Sequence, residues 1–282
     1  MTGVHVVTLA SAGRREHVLF QLAALRRWSP EAVHHTVLIG EEPFPVPGSE
    51  IIDHTGAGPV NLSRARNAGG DAAVAAGAEV VVFLDADCAP GQALVETYAQ
   101  AAERMPDAVL SGPVTYLAAD DRPYALEALA GMTRPHPARP APADGQLQPA
   151  GEDEYVLFWS LSFGVTAKTW TSLRERFGVF CEEYAGYGGE DTDFAMNLQA
   201  SGVPLTWVGG AHAYHQWHAV STPPVEHLDA ILANAVVFHR RWGFWPMDGW
   251  LQAFEDMGLV RFDGVGWVKK ESRLEWPVPE VP

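Results

Sequence analysis

The amino-acid sequence predicts an α/β protein with a mostly parallel central sheet flanked by helices. Three observations predict it. Short apolar, β-branched runs such as Val4 to Leu9 and Glu79 to Leu84 read as strands buried on both faces. Stretches of helical period separate them. Carboxylates follow directly on one of the runs, Asp85 and Asp87, at the carboxyl end of a strand, where open α/β sheets bind ligands.

Val4 to Leu9 is the first strand and Ala10 to Gly13 a loop. From Arg15 to Trp28, Val18, Leu22 and Leu25 recur at helical spacing and Leu19 widens the face. Thr36 to Gly40 is the second strand. An Ala-rich helix around Ala65 to Ala76, the strand Glu79 to Leu84, a helix from Gly91 to Arg104 and a strand near Val109 to Tyr116 follow. Such alternation favours parallel pairing through right-handed crossovers. Thr133 to Glu154 is dense in Pro, Ala and polar residues, with no apolar period. It reads as a mobile surface loop with little that can be buried. An apolar run from Tyr155 to Val165, a helix from Thr166 to Arg176 and, past a Gly-rich turn, a helix at about Asp191 to Ala200 come next. The strand-like Leu205 to Val208 precedes a helix from Glu226 to Trp242 and a Trp-rich tail; Trp242, Trp245, Trp250 and Trp267 are expected mostly in a core, with an acceptor groove or an oligomer contact as the alternative for some of them. No internal repeat is present. The expected organisation is a domain over residues 1–225, divided into 1–117, the loop 133–154 and 155–225, with a helical extension over 226–282.

Lys and Arg number 19 against 35 Asp and Glu, a formal charge of −16, which argues against a general nucleic-acid binder. With 47% hydrophobic and 19% charged residues the chain can bury a large core. Cys88 and Cys181 are the only cysteines, leaving no disulfide framework or cysteine-rich zinc site. The start of the chain has no basic lead before a long apolar core, and no run of 18 apolar residues occurs downstream. A soluble, cytoplasmic protein is the expectation.

Four segments carry chemistry. Asp85-Ala86-Asp87 offers oxygen ligands suited to Mg²⁺ or Mn²⁺, which could neutralise a diphosphate; the same pair could serve as a turn or helix cap. Arg64 and Arg66, shortly upstream, supply local positive charge for phosphate, or pair with a nearby carboxylate. In Ala185 to Phe194 (AGYGGEDTDF), glycines allow close backbone approach and Tyr187 offers a flat face for a sugar. Glu190, Asp191 and Asp193 there exceed what a helix cap needs. Ala211 to His218 (AHAYHQWH) clusters histidines that could ligate a metal.

In their order, these segments resemble nucleotide-sugar glycosyltransferases of the GT-A fold, specifically the large family 2 and the C-terminal half of the β-1,4-galactosyltransferases. The resemblance runs from Val4 to His218 through Ala65-Arg66-Asn67, Asp85 to Asp87, Gly186 to Phe194 and the downstream histidines; Asn234 to Gly243 is similar to the helix that closes many family 2 domains. It implies a UDP-sugar or GDP-sugar donor, UDP favoured, an acceptor hydroxyl of unidentified origin, and Mn²⁺ or Mg²⁺. It implies Asp191 as general base, with Tyr187, Glu190 and Asp193 on the acceptor. Asp87 would ligate the metal, with His215 as in family 2, or His215 and His218 together as in the galactosyltransferases. Asp85, Arg66 and Gly189 would face the donor, and the first loop, with Thr8, Ala10 and Arg14, would hold its base. Family 2 members commonly carry a base-reading aspartate after the second strand, where this chain has Ile39-Gly40-Glu41-Glu42.

Inverting transfer asks for a carboxylate to take the acceptor proton and a cation to stabilise the departing diphosphate. Two other readings fit parts of the sequence. A nucleotidyltransferase shares the sheet and acidic site, although Ser11 to Arg15 is a faint version of its loop; a non-catalytic nucleotide-sugar-binding protein would share the fold alone. Part of the loop 133–154 is expected either to order over bound donor or to be an insertion without function.

Overall fold

The computed structural model describes residues 3–270. The first unit follows the expected order: β1 (Val4–Ala10), α1 (Arg15–Trp28), β2 (Val33–Leu38), β3 (Glu50–Asp53), α2 (Leu62–Ala75) and β4 (Val80–Leu84). All of β1 and β4 is buried, as continuous apolar runs require in a sheet covered on both faces. β5 (Cys88–Pro90), α3 (Leu94–Arg104), β6 (Val109–Ser111) and β7 (Val114–Tyr116) follow, then β8 (Leu147–Pro149), β9 (Ser162–Thr166), α4 (Ala167–Phe177), α5 (Glu190–Ala200), β10 (Leu205–Val208) and β11 (Ala213–His215). The described chain ends with α6 (Leu228–Trp242), α7 (Asp248–Asp256) and a hairpin of β12 (Val260–Phe262) and β13 (Trp267–Lys269).

The main sheet has eight strands in the order β3-β2-β1-β4-β9-β6-β10-β8. The pairs among β3, β2, β1 and β4 are parallel, as is β6 with β10, but β9 runs antiparallel between β4 and β6. The sheet, expected to be mostly parallel, is therefore reversed at its centre. Successive side chains of β1 enter opposite faces: Val7 and Leu9 pack with Phe83, Phe163 and Phe194, whereas Val4 and Val6 pack with Val82, Leu94 and Tyr98. Phe83 and Phe163, cross-strand partners in β4 and β9, stack at 4.5 Å and tie the reversed strand into the core. α2 lies so close to this layer that a Cβ on Gly70 would come 2.2 Å from the Trp170 ring.

Three sequence expectations need correction. The strand read over Val109 to Tyr116 is two strands in different sheets. At the break, a Cβ on Gly112 would stand 1.9 Å from the Ala211 carbonyl oxygen, and Pro113 has no N–H to donate. β7 leaves the main sheet and joins β5 and β11 in a three-stranded sheet of order β5-β11-β7. The Pro-rich stretch is not a loop throughout, because β8 pairs antiparallel with β10 and Arg139 is buried. The C-terminal extension is not only helical: it ends in the β12–β13 hairpin over a core of Leu228, Ile231, Ala235, Leu251, Phe254 and Val260. Trp245, Trp250 and Trp267 pack partly buried against that core, while residues 271–282 of the extension lie outside the described residues. Among the described residues, no helix is long and apolar enough to cross a membrane.

Candidate active site

Beyond Leu84 the chain turns through Asp85 to Asp87 and re-enters as β5. Gln21 of α1, fully buried, holds this turn by donating from Nε2 to the carbonyls of Asp85 and Cys88, each at 2.8 Å. Its Oε1 accepts from the Thr8 hydroxyl at 2.8 Å. Thr8 and Ala10, expected on the donor, are both 0% exposed. Thr8 is spent on Gln21 and His34, and Ala10 packs with Val18, Leu22 and Leu38, so their side chains support the turn from beneath. Gln21 was invisible to pattern reading because it interrupts the apolar face of a helix whose period is otherwise clean.

The small sheet completes the next layer. β11 pairs antiparallel with β5, setting His215 opposite Cys88 and beside the turn. His215 Nε2 lies 3.5 Å from Asp87 Oδ1 and His218 Nε2 lies 3.3 Å from Asp87 Oδ2. One potential ligand atom from each of Asp87, His215 and His218 falls within 4.8 Å of the others, the spacing of a metal-binding triad. Burial raises the Asp87 carboxyl, but the His218 hydrogen bond and the charges of His215, Arg14 and His218 outweigh it and hold it below its usual range. Burial lowers His215, keeping its imidazole neutral and free to ligate, and its Nδ1 is buried without a hydrogen-bond partner. Tyr116 stacks on the His215 ring at 4.4 Å and fixes its plane. Arg14 meets the same group, its Nε 3.4 Å from Asp87 Oδ2.

The second acidic cluster sits at the start of α5. Gly186, Gly188 and Gly189 all have left-handed φ, of +75°, +94° and +92°, and Gly189 caps the helix. Asn234 of α6, buried and missed in the sequence, holds the turn. Its Nδ2 donates to the carbonyls of Ala185, Tyr187 and Gly188 at 3.1, 3.2 and 2.9 Å, and its Oδ1 accepts from Ala185 N at 3.2 Å. Tyr187, 37% exposed, stacks at 4.6 Å on His227 and at 5.8 Å on Trp250. Gly189 is buried against Tyr184 and Met247, so its place is explained by the turn rather than by donor contact.

Arg66 joins the two clusters. It is 4% exposed, donates to Glu190 Oε1 at 2.9 Å and lies 3.5 Å from Asp85 Oδ1, with its guanidinium over Phe180. Arg66, expected on donor phosphate, and Glu190, expected on acceptor, are thus committed to each other. Arg64, the other phosphate candidate, is exposed and pairs with Glu182. Burial pushes Asp85 up to about 6 against the pull of Arg66. Asp191 is pushed up to about 7, by burial and then by neighbouring Glu190, with Arg66 and the Thr192 amide opposing.

Asp193 is corrected as an acceptor contact. It is 0% exposed, and its Oδ1 accepts from Arg241 Nε at 2.6 Å, Trp242 Nε1 at 2.7 Å and the Tyr184 hydroxyl at 3.1 Å. Asn197 donates to its Oδ2 at 3.1 Å. It anchors the end of α6 and leaves no oxygen for a substrate. On the other side, at the carboxyl ends of β2 and β3, a cavity of about 180 Å³ is lined by Ile39, Gly40, His54, Val60 and Arg64 among others, and Gly40 backs onto Ser11 of the first loop.

No protein-family model matches the sequence, and no curated protein matches it. Solved structures do. TarS 1-349 of S. aureus is 14% identical with a TM-score of 0.53, the match covering 84% of this chain and 65% of that one. TarS 1-349 in complex with UDP-GlcNAc is 13% identical with a TM-score of 0.53, over 91% of this chain and 80% of that one. GalNAc-T7 with UDP, GalNAc and Mn²⁺ is 12% identical with a TM-score of 0.55, over 77% and 44%. The chain thus spans just under two thirds of the first of these and under half of GalNAc-T7. The shared frame is the mixed sheet with helices on both faces, and the chain has the fold of the GT-A nucleotide-sugar glycosyltransferases.

Proposed function

We propose that the protein is a metal-dependent, inverting glycosyltransferase that moves a sugar from a UDP-sugar to an acceptor hydroxyl. The observation that carries the reading is that Arg66 bridges Asp85, in the turn that carries the candidate metal ligand Asp87, to Glu190, the chain neighbour of Asp191, whose carboxyl is pushed up to about 7. The similar structures of TarS with UDP-GlcNAc and of GalNAc-T7 with UDP, GalNAc and Mn²⁺ support the donor class.

Asp87, His215 and His218 fit a divalent cation. They offer one anionic oxygen and two imidazoles, and Asp85, Asp87, Glu190 and Asp191 together exceed the charge that Arg14 and Arg66 return. Two nitrogen ligands favour Mn²⁺ over Mg²⁺, which prefers oxygen. When bound, the ion would stabilise charge on the departing diphosphate. Arg14, beside Asp87, faces the same phosphate. The cavity next to the first loop holds the base, in place of the Thr8 and Ala10 side chains. Asp191 takes the acceptor proton as its oxygen attacks the anomeric carbon from the face opposite the diphosphate, and Tyr187 packs against the acceptor.

Thermal unfolding tests the donor site. UDP at about a hundredfold its Kd stabilises the fold by about 2.7 kcal/mol, so the melting temperature should rise by several degrees with Mn²⁺ and not with chelator. Asp87→Asn and His215→Ala should lose that rise. Asp191→Asn should keep it, yet lose transfer about 10²- to 10⁴-fold, as removal of a general base does. No rise with any nucleoside diphosphate and metal, in folded wild type, refutes the proposal.

A further inference from the structure

The three candidate metal ligands come from two pieces of chain, and one helix holds both. Asp87 sits in the turn after β4, whereas His215 ends β11 and His218 lies beyond it. Gln21 of α1 grips the first piece: its Nε2 donates to the carbonyls of Asp85 and Cys88, the residues that bracket Asp87. The second piece is gripped one helical turn earlier. Gln216, between the two histidines, donates from Nε2 to the His17 carbonyl of α1 at 3.1 Å. Its backbone N–H donates to the Asp87 carbonyl at 2.7 Å and closes the ring. His17 and Gln21 are four positions apart, so both grips lie on one face of the helix.

Both glutamines are buried, Gln21 at 0% and Gln216 at 5% exposed. A buried amide is unfavourable unless its polar atoms are matched. Among the buried residues of α1 (Val18, Gln21, Leu22, Ala24 and Leu25), Gln21 is the polar one. An apolar side chain would fill that place in the core equally well, but it could not hold two carbonyls. The Thr8 hydroxyl, donating to Oε1, decides which end of the Gln21 amide faces the turn. The two pieces need such support, because β5 and β11 are three residues each and His218 lies past the end of β11. A divalent cation takes its ligand atoms at roughly 2.0–2.2 Å. A small shift of either piece therefore carries a ligand out of reach.

We propose that Gln21 and Gln216 are positioning residues that set the spacing of Asp87 against His215 and His218 through α1, and with it the affinity for a divalent cation. This rests on the metal-dependent reading of the site and adds to it the helix that fixes the ligand geometry. A splint released at one end no longer holds a distance, so loss of either grip has the effect of losing both.

Mn²⁺ alone is the probe, titrated against wild type, Gln21→Met, Gln216→Met and the double variant, with the free ion read by electron paramagnetic resonance. Methionine keeps the length of the side chain and removes the donors. Each single variant should bind Mn²⁺ about 10- to 100-fold more weakly, the loss usual for a group that orients a metal ligand. The double variant should lie within about threefold of the weaker single one, as residues that act as one unit do. The visible spectrum of bound Co²⁺, which reports ligand geometry, should change in both single variants. Asn234→Ala, which loosens the other cluster, should keep the wild-type affinity and spectrum. If Gln21→Met lacks the native circular dichroism, Gln216→Met against wild type and Asn234→Ala decides alone. Folded variants that bind Mn²⁺ as wild type does overturn the proposal, as do losses that multiply in the double variant or an equal loss in Asn234→Ala, the mark of general loosening. Wild type that binds neither Mn²⁺ nor Co²⁺ overturns the metal-dependent reading and the splint with it.

Discussion

At the scale of single residues, Asp191, the proposed base, shows how one environment sets a working range. A carboxyl in its ordinary range would be ionised throughout neutral pH, but burial and Glu190 push Asp191 up to about 7. A base works only when ionised. Transfer should therefore fall about tenfold for each pH unit below that value and level off above it, and the initial rate from pH 5 to 9 is the check. The profile of Asp191→Asn should be low and lack this limb. Asp193, two positions on, has the same side chain and the opposite use, because Arg241, Trp242, Tyr184 and Asn197 fill its hydrogen-bonding capacity. In sequence the two are equivalent acidic residues in the first turn of a helix. Their difference is set by partners 48 and 49 residues away, which no local pattern displays.

At the scale of elements, Asn234 is the point where α6 grips the glycine turn. Asn234→Ala removes four hydrogen bonds to backbone groups between Ala185 and Gly188. It should cost about 1–3 kcal/mol, read by urea unfolding, and lower the transfer rate while UDP affinity stays within about twofold. The elements of the proposed donor half were legible. α1 spans Arg15–Trp28 as its apolar spacing requires, and β1 and β4 are the runs of branched apolar residues. β3, by contrast, reads Glu-Ile-Ile-Asp with three of its four residues exposed, so it shows neither alternation nor a buried run. β5 and β11 are three residues each, too short for a period, although they place Asp87 and His215 together. The histidines were visible as a cluster; the sheet that aims them was not. Arg139 hid among prolines, where composition argues against burial.

At the scale of the whole molecule, the extension after residue 225 supports the candidate site. α6 supplies Asn234 to the turn and Arg241 and Trp242 to Asp193, while Trp250 of α7 stacks on Tyr187. A chain ending at 225 would leave a buried carboxylate without its cation, a loss of about 3–5 kcal/mol. Such a chain should show weakened near-ultraviolet circular dichroism and rapid proteolysis within 185–193, and a truncated protein with wild-type stability and turnover would show that the extension is separable. The net charge of −16 belongs to this scale as well. With an acidic surface, an anionic donor must find its positive partners locally, and Arg14, beside Asp87, is the candidate.

The reversed central strand also orders events in time. β9 is synthesised 77 residues after β4 ends, yet it seals the edge of β4 and then receives β6 on its other side. Until Ser162–Thr166 leaves the ribosome, β1, β2, β3 and β4 can pair, but β4 presents an open edge and Phe83 has no Phe163 to cover it. Nascent chains shorter than this would carry an adhesive strand edge, the kind of surface that chaperones shield. Closure of the sheet is thus a late, long-range step, and the pace of translation through the Pro-rich segment sets how long that edge stays bare.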